Sequence, residues 1–422
     1  MKYMKKISRR AICFLLQLML VAVLFTACGN SDEKKPVDAT VATQTTTEAT
    51  TQEPTTKAPV EIKVMMIGDM LIHPGVFKSG FDASGNPSNY DHFFANILPE
   101  IKEADISIVN QETPLGGKEL GLSGYPCFNS PQEIGDSMVK AGFNVVLHAS
   151  NHFLDKGLAG ATATLNYWKT KHPDIAVLGV NATAEDAEKI YVYEKDGFKV
   201  AILNYTYGTN GIAIPASSPY IVNTFNDEAR VRNDIRKAHT LADMVIVCPH
   251  WGTEYVYRPD EFQKKWTSIF LEEEVDLVLG THPHVLENVE KLTSPSGHEM
   301  VVYYSLGNFV SSQNYIPRVL GGMAQVTLVK EGDRAYIKTY EIEPLINHRT
   351  TDNTFTTYKL SDYTDALLAK NILNSDHAAP CGSWCQCGAA QLGISTHGVS
   401  NFSVAYCKKL CKYILGDMYK LD

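Results

Sequence analysis

From about residue 60 onward, short runs of apolar and β-branched residues alternate with stretches in which apolar positions recur every three or four residues. The first pattern marks buried strands and the second amphipathic helices, so together they predict an α/β sheet protein. Five of the runs share a further property. Ile62-Lys63-Val64-Met65-Met66-Ile67 ends in Gly68-Asp69, with His73 four residues on, and Ile106-Ser107-Ile108-Val109 ends in Asn110-Gln111-Glu112. Val145 to Ala149 leads into Ser150-Asn151-His152-Phe153-Leu154-Asp155, and Met244 to Cys248 ends in Pro249-His250-Trp251-Gly252. Asp276 to Gly280 ends in Thr281-His282-Pro283-His284. Each predicted strand therefore delivers a carboxylate, a carboxamide or an imidazole at its carboxyl end. Two later runs, Ala324 to Val329 and Tyr336 to Ile342, flank Gly332-Asp333 and predict a hairpin that completes a second sheet.

The beginning of the chain follows another rule. Lys2, Lys5, Lys6, Arg9 and Arg10 precede an apolar run from Ala11 to Ala27 that is broken by Gln17, which is the pattern of a secretory signal. Small residues lead directly into Cys28, as in a bacterial lipobox, so residues 1–27 are expected to be removed and Cys28 to carry lipid; an uncleaved signal anchor is the alternative. Residues 28–59 are Thr-, Glu-, Gln- and Pro-rich and too poor in apolar side chains to build a core, so they are expected to form an extended tether. The folded part is then expected over 60–348, with 349–422 a helical or irregular Cys-rich tail.

Charge narrows the choice of partner. The formal net charge is −9, and −14 once the five cations of the signal are gone. No general basic surface for nucleic acid exists, so an anionic ligand has to be met by metal ions or by individual Lys and Arg side chains. Five of the nine cysteines, Cys381, Cys385, Cys387, Cys407 and Cys411, crowd the end of the chain, where disulfides or zinc ligation are both open.

In sheets of this kind, loops at the carboxyl ends of the strands converge on one crevice. Asp69, His73, Glu112, Asn151, His250, His282 and His284 are thereby candidates to meet. Gathering them without a cation leaves uncompensated buried charge, at several kcal/mol per ion. Oxygen and imidazole ligands without thiolate suit Mn, Fe, Zn or Co. The groups outnumber the needs of one tetrahedral ion, whereas two divalent metal ions about 3.5–4 Å apart use nearly all of them and activate water for attack. His152, beside a ligand, is the candidate catalytic acid. Taken singly each signal is weak: Gly-Asp is usually a turn, Glu112 or Asp155 alone suits a helix cap, and His148, inside a strand run, reads as a core histidine. The turn enforced by Pro283 between His282 and His284 is the most specific of them.

These blocks, with His250-Trp251-Gly252-Thr253-Glu254-Tyr255 and Tyr304-Ser305-Leu306-Gly307-Asn308-Phe309, resemble the signature blocks of the CapA, or poly-gamma-glutamate capsule synthesis, family over about residues 60–312. Lys156, Gln111 and Glu287 depart from the usual pattern. The resemblance implies a calcineurin-like metallophosphatase fold, a four-layer αββα sandwich. By the same resemblance Asp69 and His284, with His73 weaker, hold one metal; Glu112 bridges; Asn151, His250 and His282 hold the second. Trp251, Glu254, Tyr255 and Asn308 line the pocket. The implied role is synthesis, processing or export of poly-gamma-glutamate or a related envelope polymer, on the outer face of the cell membrane and beside capsule synthase subunits. A metal-dependent phosphoesterase and a non-catalytic polymer-binding or export component are the two alternatives.

Overall fold

The computed structural model describes residues 58–374 and 402–420. The signal, Cys28, nearly all of the tether, and Cys381, Cys385 and Cys387 lie outside the described residues.

Two sheets form the body. The larger is built on β1 (Val60–Met70), β2 (Ile106–Gln111), β3 (Val145–Leu147) and β4 (Ala176–Leu178), all parallel neighbours in that order. The second contains β5 (Tyr191–Lys195), β6 (Phe198–Thr206), β7 (Met244–His250), β8 (Leu277–Leu279), β9 (Val289–Thr293) and β10 (Glu299–Tyr303), in the order β5-β6-β7-β8-β10-β9. Its β6, β7, β8 and β10 are parallel, with antiparallel strands at both edges. The short β11 (Asn308–Val310) then returns to lie parallel to β1. The larger sheet ends in β12 (Leu320–Glu331), β13 (Arg334–Arg349) and β14 (Phe355–Lys359), which continue it antiparallel from β1.

The period-2 alternation of side chains divides the core. Ile62, Val64, Met66, Ile106, Ile108, Val145 and Leu147 of the larger sheet share one buried cluster with Val200, Ile202, Ile246, Leu277, Leu279 and Val301 of the second. Their neighbours in sequence turn the other way. Met65, Ile67, Val109 and Val146 pack with Ile134 and Met138 of the helix Glu133–Ala141 and with Tyr167 and Trp168 of the helix Gly157–Lys171. Val245, Val247, Val278 and Val302 pack with Val231 and Ile235 of the helix Glu228–Leu241 and with Trp266 and Phe270 of the helix Glu261–Glu272. Strands covered on both faces become continuous apolar runs, which is why β1 is buried without a break from Val64 to Met70. The helix Glu261–Glu272 is started by a capping box between Asp260 and Gln263.

Two expectations change. The hairpin around Gly332 joins the larger sheet, pairing β12 with β1 from Val60↔Lys330 to Ile67↔Met323; the eleven-residue β1 offers the length that the twelve-residue β12 needs. The sheet also runs past residue 348, through Arg349 and on to β14. Beyond it, the helix Val404–Leu415 lays Tyr406, Cys407, Leu410, Cys411 and Ile414 into the core shared by the two sheets. Arg258 holds it there by donating to the carbonyls of Tyr413 and Ile414, each at 3.1 Å. Cys407 and Cys411 are free and fully buried, and burial pushes the Cys407 thiol up to about 12; they pack as small apolar side chains.

Candidate metal centre

The crevice opens where the carboxyl ends of the two sheets meet. Asp69 sits near the end of β1 because β11 comes in unusually close: a Cβ on Gly68 would lie 1.9 Å from the Gly307 carbonyl oxygen, and the Asp69 amide donates to that oxygen at 2.8 Å. The carboxylate of Asp69 is then fixed from three sides. Asn110 Nδ2 donates to Oδ1 (2.8 Å), the His282 amide points at both oxygens (3.4 and 3.3 Å), and His284 Nδ1 lies 3.0 Å from Oδ2.

Glu112, one residue past β2, is fully buried, and neither carboxylate oxygen has a hydrogen-bond partner. Its Oε1 stands 3.7 Å from His250 Nε2 and 3.6 Å from His284 Nε2. Asn151, after β3, places Oδ1 3.0 Å from His250 Nε2, while His250 Nδ1 is held 3.0 Å from Thr281 Oγ1. His282 and His284 both have positive φ, +100° and +58°, a region that side-chain-bearing residues adopt at a cost of about 1–3 kcal/mol and that clusters at functional sites. That backbone turns both imidazoles inward; His282 Nδ1 is buried without a partner. Ligand atoms of Glu112, His282 and His284 all lie within 4.8 Å of one another.

The electrostatics point the same way. Burial foremost, then Asp69, pushes Glu112 well above the usual carboxylate range, with His284 opposing. Burial, then neighbouring imidazoles, holds His250 and His282 well below theirs. His284 is raised to about 9 because Glu112 and Asp69 outweigh its burial. A buried carboxylate with two orphaned oxygens among imidazoles, of which His250 and His282 are held neutral, is a donor set that a divalent cation satisfies. The residues therefore fit a metal, with Glu112, His282 and His284 as the nucleus, Asp69 joined to it through His284, and Asn151 joined through His250.

His152 stands beside this group with Nδ1 2.7 Å from Asp155 Oδ2 and its ring edge-on to Phe128 at 4.7 Å. The same Asp155 oxygen accepts the Phe128 amide at 2.7 Å, so Asp155 orients the imidazole and does not cap a helix. His73 stays outside the three-residue group, its Nδ1 lying 3.1 Å from the Leu71 carbonyl oxygen.

The expected pocket lining splits. Tyr255 is half-buried, with its ring 6.0 Å from that of His284, and Glu254 is exposed at the rim. Trp251 is not a lining residue: its indole is buried in the core on the outer face of the second sheet and donates to the Tyr304 carbonyl at 2.9 Å. Asn308 is likewise internal, its amide tying the carbonyls of His284 (3.3 Å) and Arg318 (3.0 Å) together. The resemblance places this indole and this carboxamide in the pocket lining, whereas each satisfies a backbone oxygen. Tyr207, its ring tilted against that of His282 with centroids 4.6 Å apart, and Asn210, which accepts from Asn151 Nδ2 at 3.2 Å, are two neighbours of the cluster that the sequence pattern does not single out. They follow β6, a strand whose end shows no acid or imidazole. His148 is a core residue that accepts from Trp168 Nε1 at 2.9 Å.

A family model described as bacterial capsule synthesis protein PGA_cap matches residues 63–313. The chain belongs to that family. All the residues of the crevice named so far fall inside the family match. Two relatives are the PGA biosynthesis protein CapA of Bacillus subtilis (strain 168), 28% identical over 271 residues, and the capsule biosynthesis protein CapA of Bacillus anthracis, 26% identical over 270. These alignments cover 62% and 60% of this chain and 66% and 61% of the relatives, so the chain spans just under two thirds of their length. Among solved structures, the calcineurin-like phosphoesterase YfkN from Bacillus subtilis aligns with a TM-score of 0.41 at 14% identity, over 68% of this chain and 90% of that one.

Proposed function

We propose that this member of the capsule synthesis family is a metal-dependent hydrolase that processes poly-gamma-glutamate or a related envelope polymer at the outer face of the bacterial membrane. In this reading the core division described above is the four-layer αββα arrangement of the metallophosphoesterases, and Cys28 carries the lipid that anchors it. Membrane capsule synthase subunits are its natural neighbours. The observation that carries the proposal is Glu112, whose fully buried carboxylate has no hydrogen bond of its own and lies 3.7 Å from His250, 3.6 Å from His284 and within 4.8 Å of His282.

Asp69, Glu112, Asn151, His250, His282 and His284 would hold two divalent ions in the crevice, and these would supply Lewis-acid polarisation and a nucleophile at neutral pH. The chain's own residues do the rest. Asn110 and Thr281 lock Asp69 and His250 in orientation, so the ligand set is formed before any ion arrives. Asp155 occupies Nδ1 of His152, leaving Nε2 to hand a proton to the departing amine. Tyr207 and Tyr255 stand beside the His282 and His284 rings, 4.6 and 6.0 Å away between centroids.

The test is to incubate the full chain with Mn, Zn or Fe and either a gamma-glutamyl oligomer or an aryl phosphate ester. Metal-dependent release of shorter gamma-glutamyl chains is the expected result. Preference for the aryl phosphate would move the chain to the phosphoesterases, and no gain with any metal would remove the hydrolase reading altogether.

A further inference from the structure

The chain is acidic overall, yet an unneutralised cation stands beside the crevice. Arg349 closes β13, beyond the 63–313 span of the family match. Its Nη1 donates to Asn314 Oδ1 at 3.3 Å, and its guanidinium carbon lies 5.1 Å from the centre of the Phe355 ring. Its Nε is buried with no hydrogen bond. Among the described residues no carboxylate pairs with it, whereas Arg230, Arg232 and Arg236 each hold one. A half-buried guanidinium without a counter-ion is costly to maintain, and its planar fork matches a planar carboxylate or a phosphate bidentately; the carboxylate is the anion that the polymer reading supplies.

Its position relates it to the cluster. A Cβ on Gly75 would lie 3.5 Å from Arg349 Nη2, so the guanidinium runs along the backbone two residues past His73. The loop that supplies Asn314 also brings the Ser312 amide nitrogen to 3.4 Å from His73 Nδ1. Arg349, His284 and His152 all add to the burial that brings the His73 imidazole down to about 4. The His73 ring meets Phe128 edge-on at 5.2 Å and Phe128 meets His152 edge-on at 4.7 Å, so a chain of contacts links Arg349 through His73 to the cluster.

We infer that Arg349, braced by Asn314, binds a carboxylate of an anionic gamma-glutamyl polymer whose neighbouring repeat lies at the cluster. The inference rests on the polymer-processing reading above and adds to it the residue that recognises the charge of the chain. Arg349 is a specificity residue and takes no part in bond cleavage.

The experiment uses the full chain in detergent, loaded with Mn, and a fluorescent gamma-linked glutamate decamer followed by anisotropy. A decamer with amidated side groups serves as the neutral control. Arg349→Gln is expected to weaken binding of the anionic decamer about 10-fold and to flatten its salt dependence, leaving the neutral decamer unaffected. Arg349→Lys, which keeps the charge and loses the fork, is expected to cost about 3-fold. Arg334→Gln, the same charge change at the distant hairpin, is expected to cost nothing. If Arg349→Gln does not fold, Arg349→Lys decides: loss confined to the anionic decamer supports the inference, and no loss overturns it. Equal weakening of both decamers also overturns it, since that is what a merely structural arginine would give. Failure of the wild type to bind either decamer overturns the polymer reading beneath; wild-type binding that R349Q leaves intact overturns this inference alone.

Discussion

The two sheets bring different chemistry to the same rim. The larger one ends in acids and an amide, Asp69, Glu112 and Asn151, and the second ends in imidazoles, His250, His282 and His284. Below the rim their meeting is apolar, Ile and Val against Ile and Leu. At the rim it is ionic and amide to imidazole: Asp69 with His284, Asn151 with His250, Glu112 with both histidines. Neither half is a metal site by itself. The difference teaches that the crevice measures how the sheets are docked, and that whatever fills it also ties them together.

The sharpest way to break this pairing is Glu112→Gln, which removes the charge that both halves share. Metal affinity is expected to fall on the order of 1,000-fold, because losing one member of a buried ionic set costs several kcal/mol, and equilibrium dialysis measures it. Gly68→Ala attacks the larger sheet from behind. Its new Cβ would sit 1.9 Å from the Gly307 carbonyl oxygen, which is backbone and cannot swing aside, so a loss of about 3 kcal/mol is expected in urea unfolding. Unchanged stability would mean that β1 and β11 are less tightly apposed than described.

How the crevice was foreseen, and where it was not, follows from the range of the forces involved. Asp69, Glu112, Asn151, His250, His282 and His284 were legible because strand periodicity and strand ends are local features, and a parallel sheet sends those ends to one side. The sheet joined by the hairpin was not legible, since pairing β12 with β1 rather than with a second-sheet strand is decided by partners some 260 residues away in the chain. Trp251 and Asn308 misled for a related reason: each carries an N–H donor, and only tertiary structure shows the carbonyl that claims it. The positive φ of His282 and His284 leaves no trace in residue type.

Two smaller tests sharpen the comparison. Asp155→Asn keeps the shape beside His152 and weakens control of its tautomer; kcat on a gamma-glutamyl substrate is expected to drop about 10-fold with KM little changed. A fall in KM-dependent terms alone would make Asp155 a loop anchor through Phe128. On the imidazole side, Glu287 is buried and bonded to Gln263 Nε2 at 2.6 Å, and burial raises its carboxyl to about 8. Its folded-state pKa lies above its unfolded one, so its contribution to stability is complete below the unfolded value and is lost as pH rises through about 8. Glu287→Gln is expected to flatten the decline between pH 6 and 8, gaining on the order of 1 kcal/mol at pH 8, as read from unfolding at several pH values. An equal slope in wild type and variant would assign the pH dependence to another group.

The most direct measurement is the metal content of the full chain after gentle purification, taken with its unfolding midpoint before and after a chelator. Ligands drawn from both sheets predict about two divalent ions per chain, and a midpoint that falls by several degrees when they are removed, since binding to the native state alone stabilises it. A chain that carries no metal, and whose midpoint is indifferent to both chelator and added Mn, Zn or Fe, would contradict the account.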